Sequence, residues 1–414
     1  MTQGGGECQE GLPHVYSKCV FCIKNRHRVV FLRASVYTGA MQIIVRNIEK
    51  ELESKLFKGK VVILYGPRQS GKTTFLKSFL KKYDDTTYIN CDVPENRDGL
   101  SPKSPENLLS FVGKHKVIVI DEAQRVEDIG ITLKILVDTY PKIQIIATGS
   151  SSFDLENILA EPLTGRHYDF MFLPPMYSEL SFLYESKKEQ QASLTNRLLF
   201  GSYPEIVFPK EGATLRESIK LITDDYSMKD VLAFEGLRKS DTLVKVLKVL
   251  AYQVGSEVSY GEISRNFGIA LKTVERYIEI LEKAFIVFRL QPYTGNKRTG
   301  LRRTRKIYFW DCGLRNALIN SFENLDVRPD KGALFENYVI SELFKLNFNS
   351  KIKKNFYFWR AYDGEEVDLV EEADGALKGY EVKWKSEKKV LHKSKEAPTP
   401  TVTVIDTGNY PDFM

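Results

Sequence analysis

The sequence predicts an α/β protein: a parallel sheet presenting a phosphate-binding loop, followed by a helical region and a second strand-bearing half. Three observations carry this. A strand, a glycine loop and a helix follow one another in KVVILYGPRQSGKTTFLKSFLKKY, residues 60–83. A second all-apolar strand runs into two acids in KVIVIDEAQRV, residues 116–126. Near the C-terminus, EVDLVEEADGALKGYEVKWK (366–385) reads as two strands joined at Asp374–Gly375, with Asp368, Glu381 and Lys383 among its inner positions.

A chain of 414 residues has room for two to four domains, each with its own core. Its 43% hydrophobic and 28% charged residues are in the ordinary globular range. A net charge of +6 makes too weak a field to identify a partner. No apolar run approaches the roughly 18 residues of a membrane span, so no membrane partner is expected. The opening MTQGGGECQEG lacks the basic-then-apolar order of a signal peptide, and a cytoplasmic protein is expected. Five cysteines over this length do not make a disulfide framework.

Residues 1–40 differ in character from the rest and are expected to form a poorly ordered extension, with Met41 an alternative start. Cys19-x-x-Cys22, with Cys8, His14 and His27 nearby, could supply half a zinc site, although no second pair completes it.

The region 41–175 carries the nucleotide chemistry. Val61–Leu64 is a short apolar strand, and helical spacing runs through Phe75, Leu76, Phe79 and Leu80. Between them Gly66, Pro67, Arg68, Gln69, Ser70, Gly71, Lys72 and Thr73 fit G-x-x-x-x-G-K-[ST], and Thr74 continues into the helix. Glycines let backbone N–H groups turn in around a phosphate, and the helix dipole points its positive end there. Lys72 is expected to bridge the β- and γ-phosphates, and the Thr73 hydroxyl to ligate Mg²⁺. ATP and Mg²⁺ are therefore the expected cofactors. In the second strand, four β-branched residues lead into Asp121 and Glu122, as a sheet covered on both faces requires. Asp121 is expected to hold the metal and Glu122 to polarise the attacking water. A third strand, IQIIATGSSS (143–152), ends in Thr148, Ser150 and Ser151, polar groups placed to sense a γ-phosphate. TTYINCDV (86–93) is a further candidate strand.

This set resembles the AAA+ branch of P-loop ATPases, in which a glutamate follows the metal-binding aspartate and a polar sensor ends the next strand. The resemblance offers Arg166, in LTGR (163–166), as an arginine finger. A finger acts on a neighbour's nucleotide, so a homo-oligomer would follow.

Residues 176–240 read as a mostly helical lid, interrupted at GSYPEI (201–206) and FPKEG (208–212), with no chemistry assigned. Residues 241–315 read as a winged helix. Ser259 caps a helix carrying Ile263 and Phe267, Gly268 makes the turn, and a second helix runs through Val274, Tyr277, Ile278 and Leu281. Two strands follow, AFIVFRL (284–290) and KIYFW (306–310). The second helix offers Lys272, Thr273, Glu275 and Arg276 to solvent. Between the strands lie six basic residues and no acid: Lys297, Arg298, Arg302, Arg303, Arg305 and Lys306. DNA is the expected partner of this basic wing; six phosphate contacts would give a log–log salt slope of about 5.

Residues 316–414 carry the tail. A helix over 332–346 places Phe335, Val339 and Leu343 on one face with Glu336 beside it, and three strand-like segments follow. Alternation puts Glu381 and Lys383 on one face, with Asp368 on a neighbouring strand. Two carboxylates and a lysine around one point suit divalent-metal hydrolysis of a phosphodiester. The tail resembles the PD-(D/E)xK, restriction-endonuclease-like fold, Glu336 matching its first-helix acid, Asp368 its metal aspartate and Glu381-x-Lys383 its E-x-K. That implies a second Mg²⁺ or Mn²⁺. It departs from the fold after E-x-K: residues 388–410 show little helical spacing and contain Pro398 and Pro400.

From about Met41 onward, YGPRQSGKTT, IDEAQR, ATGSSS, GSYPEI, KIYFWDCGL, GALFENYVISEL, EVDLV and EVKW together resemble a prokaryotic ATPase family that joins an AAA+ core to a winged helix and a nuclease-like domain of unknown function. The leading expectation is an ATPase whose nucleotide state controls DNA or partner engagement by the C-terminal half. An ATP-dependent DNA nuclease and a nucleotide-switched DNA-binding regulator with little turnover are the alternatives.

Overall fold

A strand covered on both faces must be apolar throughout. Val61–Tyr65 (β3) and Val117–Asp121 (β5) are buried along their whole length. The computed structural model describes residues 23–25, 28–30, 44–150, 163–209, 211–227, 231, 240–294, 304–350 and 352–414. The segment Met1–Gln42 forms a unit separate from Ile43–Met414. Within it, Ile23–Asn25 (β1) pairs antiparallel with Arg28–Val30 (β2). The five candidate zinc residues lie outside the described residues.

In the larger unit, Ile48–Lys55 (α1) precedes β3, and Lys72–Leu80 (α2) follows it. Thr86–Asn90 (β4), Pro94–Leu100 (α3), Pro105–Val112 (α4), β5, Ile129–Thr139 (α5), Gln144–Gly149 (β6) and His167–Met171 (β7) complete the first layer. The sheet order is β4-β5-β6-β3-β7, and every pairing is parallel. The C-terminal strand ends therefore share one edge, which is where an open α/β sheet binds ligands. Alternation along β3 sends Val62 and Leu64 to one face, against Ile48, Leu52, Phe75 and Phe79. Val61, Ile63 and Tyr65 go to the other, into a core with Leu133 and Leu136 of α5.

That second core continues into Phe285, Phe288, Tyr308, Trp310 and Ile340 of the C-terminal half, where the Tyr65 and Phe285 ring centroids are 5.9 Å apart. The two halves share apolar burial directly beside the glycine loop.

Four helices come first: Tyr177–Leu180 (α6), Lys187–Phe200 (α7), Pro204–Val207 (α8) and Leu215–Leu221 (α9). Ser240–Tyr252 (α10), the strand Glu257–Ser259 (β8), Tyr260–Phe267 (α11) and Leu271–Lys283 (α12) follow. Ser259 accepts from the Glu262 N–H at the start of α11, and Gly268 ends it with φ +62°. Then come Val287–Pro292 (β9), Thr304–Phe309 (β10), Cys312–Ile319 (α13) and Lys331–Phe348 (α14). Asn355–Arg360 (β11), Glu366–Ala373 (β12), Ala376–Val382 (β13), Val390–His392 (β14) and Thr401–Ile405 (β15) end the chain.

The expected boundary between 241–315 and 316–414 is not a break in the sheet. Strands β14-β15-β13-β12-β11-β9-β10-β8 form one eight-stranded sheet. The seam is a short parallel pairing, Tyr357 with Gln291 and Phe358 with Pro292. β11, β12 and β13 form an antiparallel meander, and β15 returns parallel to β13. A parallel return ordinarily uses a helix. Here residues 383–400 make it with β14, bends and turns instead, and Pro398 and Pro400 disfavour a helix there.

α14 begins at Asp330, whose carboxylate accepts from Arg315 at 2.6 Å and from Arg328 at 2.8 Å. Burial alone would raise this carboxyl, but the Arg328 hydrogen bond and the Arg315 charge outweigh it and bring it down to about 2. A depressed folded-state value gives stability that is present above the unfolded value near 4 and is lost as pH falls through about 2. Asp330→Asn should therefore cost about 1–2 kcal/mol at pH 7. The difference from wild type in urea midpoint should vanish near pH 2; an equal loss at both pH values would refute the assignment.

Candidate functional site

The loop after β3 is shaped by backbone conformations that restrict its sequence. Gly71 has φ +97° and Gln69 φ +58°. A Cβ at Gly66 would sit 2.1 Å from the Phe172 carbonyl oxygen, so only glycine fits there. Pro67, Arg68 and Ser70 complete the turn, and Thr73 and Thr74 lie in the first turn of α2. The buried Lys72 ammonium donates to the Gly66 and Pro67 carbonyl oxygens at 2.6 and 3.0 Å. It is thus held over the loop's mouth. The Ser70 hydroxyl is buried with no hydrogen-bond partner among the described residues, as expected of a group facing a ligand.

Asp121 is the centre of the acidic side. Its carboxylate accepts from Thr73 at 2.9 Å and from Thr148 at 2.5 Å, and the Tyr88 hydroxyl also donates to it. Parallel pairing explains the meeting: β4 pairs Asn90 with Asp121, and β6 lies between β5 and β3. A hydroxyl and a carboxylate in this contact form an all-oxygen pair suited to Mg²⁺, which takes few protein ligands and completes its shell with water and phosphate. Thr73 and Asp121 would hold that ion, which would neutralise charge on the phosphates.

Glu122 follows in the left-handed region, φ 54°, which turns its side chain away from the sheet. Its N–H donates to Thr148 at 2.9 Å, and its carboxylate accepts from Gln124 at 2.7 Å. Gln124 also donates to the Ser150 hydroxyl at 3.1 Å. Of the expected sensors, then, Thr148 touches Asp121 and Ser150 touches Gln124. Ser151 lies outside the described residues.

Four contributors carry no role expected from the sequence. Tyr88 and Gln124 are two. Arg46 is buried beneath the loop, donating to Ser70 O at 3.3 Å, Leu173 O at 2.6 Å and Glu179 at 2.9 Å, with its guanidinium 3.9 Å from the Phe172 ring centroid. Pro204 of GSYPEI lies 3.5 Å from where a Gly71 Cβ would be, which puts the lid against the loop. Tyr88, Arg46 and Pro204 depend on contacts between distant segments, while Gln124 reaches Glu122 locally and Ser150 from the next strand.

Arg166 is not brought to this site. It precedes β7, its carbonyl accepts from Val61 N at the opposite end of β3, and its guanidinium pairs with Asp138 at 2.7 Å. The loop begins five residues further along β3, on the order of 15 Å away at strand rise.

In the C-terminal sheet the structure gathers Glu336, Asp368 and Glu381, together with a residue assigned elsewhere by sequence. Lys306 does not lie on a basic wing. It is 2% exposed; its ammonium lies 3.3 Å from Glu336 and 3.7 Å from Asp368, and it also contacts Glu366. Its ammonium lies 5.7 Å from the Phe358 ring centroid. Tyr308 donates to Glu336 at 2.7 Å, and Val382 N–H to Asp368 at 2.8 Å. Burial and then the Glu336 charge push Asp368 up to about 8; burial also raises Glu336. Glu381 accepts from Lys383 at 2.8 Å and lies 3.0 Å from Lys393.

The expected second metal does not fit this arrangement. Among the described residues no group of three His, Cys, Asp or Glu side chains could hold a metal ion. Glu336, Glu366 and Asp368 converge on the Lys306 ammonium, and Glu381 pairs with Lys383 and Lys393. Of the six expected wing cations, Lys297, Arg298, Arg302 and Arg303 lie outside the described residues. With Lys306 removed, the salt slope falls to at most about 4.5. On α12, Lys272, Glu275 and Arg276 are exposed. No helix among the described residues is long and apolar enough to cross a membrane.

Comparison with known proteins matches residues 58–181 to an AAA domain. Residues 191–325 and 331–408 match two domains of unknown function, DUF8612 and DUF4143. An uncharacterised protein of Mycobacterium tuberculosis is 31% identical over 353 residues, covering 83% of this chain and 75% of the relative. An uncharacterised protein of Methanocaldococcus jannaschii is 26% identical over 343 residues, covering 78% and 74%. Among solved structures, a Walker-type ATPase of Pyrococcus abyssi aligns with TM-score 0.47 and 17% identity, over 67% of this chain and 96% of that one.

Proposed function

Because the chain belongs to the same family as this mycobacterial relative and itself carries an AAA domain, we propose that it is a Mg²⁺-dependent ATPase whose nucleotide state controls engagement of DNA or a partner by its C-terminal half. The observation that carries the reading is the convergence of Lys72, Thr73, Asp121, Thr148 and Glu122 at one sheet edge. In this reading Lys72 holds the β- and γ-phosphates. Thr73 and Asp121 hold the metal. Glu122, oriented by Gln124, takes the proton of the attacking water.

The coupling has a physical route. Tyr65, the residue before the loop, packs on Phe285, which lies between α12 and β9. Pro204, from the lid, packs on Gly71. A loop that shifts on binding nucleotide disturbs both contacts. The helix–turn–helix α11–α12 with β9 and β10 supports a winged-helix reading, and exposed Lys272 and Arg276 support nucleic-acid contact.

The deciding experiment is phosphate release from Mg-ATP by wild type and Glu122→Gln, each with and without duplex DNA. The proposal expects turnover in wild type only, altered by DNA. Equal release by both proteins would overturn the catalytic assignment, and turnover indifferent to DNA would overturn the coupling to DNA.

A further inference from the structure

We propose that the Lys306 ammonium is the resident cation of the C-terminal acidic site, standing where a nuclease of this topology would carry its divalent metal, so that the site clamps the domain together and cleaves nothing.

The first argument is geometric. One nitrogen lies within 4 Å of carboxylate oxygens from Glu336, Glu366 and Asp368. Those oxygens therefore surround a single point. A divalent cation with oxygens at about 2.0–2.6 Å needs that same point. Two cations cannot share it, and Lys306 is delivered by covalent structure: β10 is hydrogen-bonded to both β9 and β8.

The second argument is charge. Four carboxylates (Glu336, Glu366, Asp368 and Glu381) face three ammonium groups (Lys306, Lys383 and Lys393). The sum is −1. A metal nuclease site leaves its acids short of positive charge until the metal arrives; this one is nearly balanced by its own side chains.

The third argument is access. Lys306 is 2% exposed, and Gly255 closes over Glu336, whose carboxylate would lie 3.3 Å from a Cβ at that position. The clamp joins β10, beside the helix–turn–helix, to α14 and β12. Breaking it would loosen the seam between the two parts of the sheet.

Mn²⁺ binding by electron paramagnetic resonance tests this on the nucleotide-free full chain. Wild type and Asp368→Asn should bind Mn²⁺ identically, because no ion sits at this site in either. Lys306→Gln should gain one Mn²⁺ at least about 10-fold tighter than any wild-type site, and adding Asp368→Asn should abolish the gain. Manganese bound by wild type and lost in Asp368→Asn would overturn the proposal. So would plasmid cleavage by wild type in Mn²⁺ that Asp368→Asn removes, or a folded Lys306→Gln that gains no manganese. Circular dichroism checks that Lys306→Gln folds; if it does not, the comparison of wild type with Asp368→Asn decides alone. None of these readings depends on ATP turnover, so the ATPase reading stands or falls separately.

Discussion

Glu122→Gln is expected to keep ATP binding and to lower phosphate release by about 10²–10⁴-fold, the range for loss of a general base. Gln has the same shape, and the Glu122 N–H bond to Thr148 is a backbone contact that survives the change. The Asp121–Thr73 contact is also untouched, so affinity should hold within a few fold. Lys72→Ala should behave in the opposite way. It removes a buried ammonium whose donors now rest on the Gly66 and Pro67 carbonyls and would pass to phosphate oxygens. Charge-assisted bonds contribute about 1.5–3 kcal/mol each, so two of them imply at least about 10²-fold weaker binding. Titration calorimetry with ATP and a phosphate-release assay separate the two variants. Unchanged turnover in both would remove the site from consideration.

Asp311→Ala is expected to be among the most damaging single changes outside the site. Asp311 is 3% exposed and accepts from Ser202 N at 2.7 Å, Gly313 N at 2.9 Å and Leu314 N at 3.2 Å. It thus caps α13 and pins the GSYPEI segment in one stroke. Three buried N–H groups would lose their acceptor at about 1–3 kcal/mol each, so a loss of about 3 kcal/mol or more follows. Gly201 is fitted to the same carboxylate: it has φ +85°, and a Cβ there would fall 1.9 Å from Asp311 Oδ1. Because Pro204 of this segment packs beside Gly71, ATP affinity should fall together with the thermal midpoint. Asp311→Asn keeps one acceptor oxygen and should lose less. An Asp311→Ala midpoint within a degree of wild type would show that this lock does not hold the lid.

The nucleotide site was legible because its chemistry is local. Gly66 through Thr73 make one turn, and Asp121–Glu122 sit at the end of one strand, so spacing along the chain is spacing in the site. Tyr88, Gln124, Arg46 and Pro204 were not legible. Tyr88 meets Asp121 only through strand pairing, and Arg46 reaches Ser70 only after α1 has packed against β3. Lys306 shows the limit most clearly. In a run of six basic residues it reads as one more surface cation. The pairing of β10 with β9 and β8 turns it inward, beside Phe358, to acids 30 and more residues away.

By itself the sequence determined the α/β class, the buried parallel strands, the glycine loop and the acid pair, because periodicity, glycine conformations and short-range spacing are properties of the chain. Only the tertiary structure decided which charges meet. It joined the helix–turn–helix hairpin and the tail in one sheet, set Arg166 at the far end of β3, and brought Lys306 against Glu336, Glu366 and Asp368. Charge pairing is fixed by strand register and helix packing, and neither is encoded at the distance of a motif.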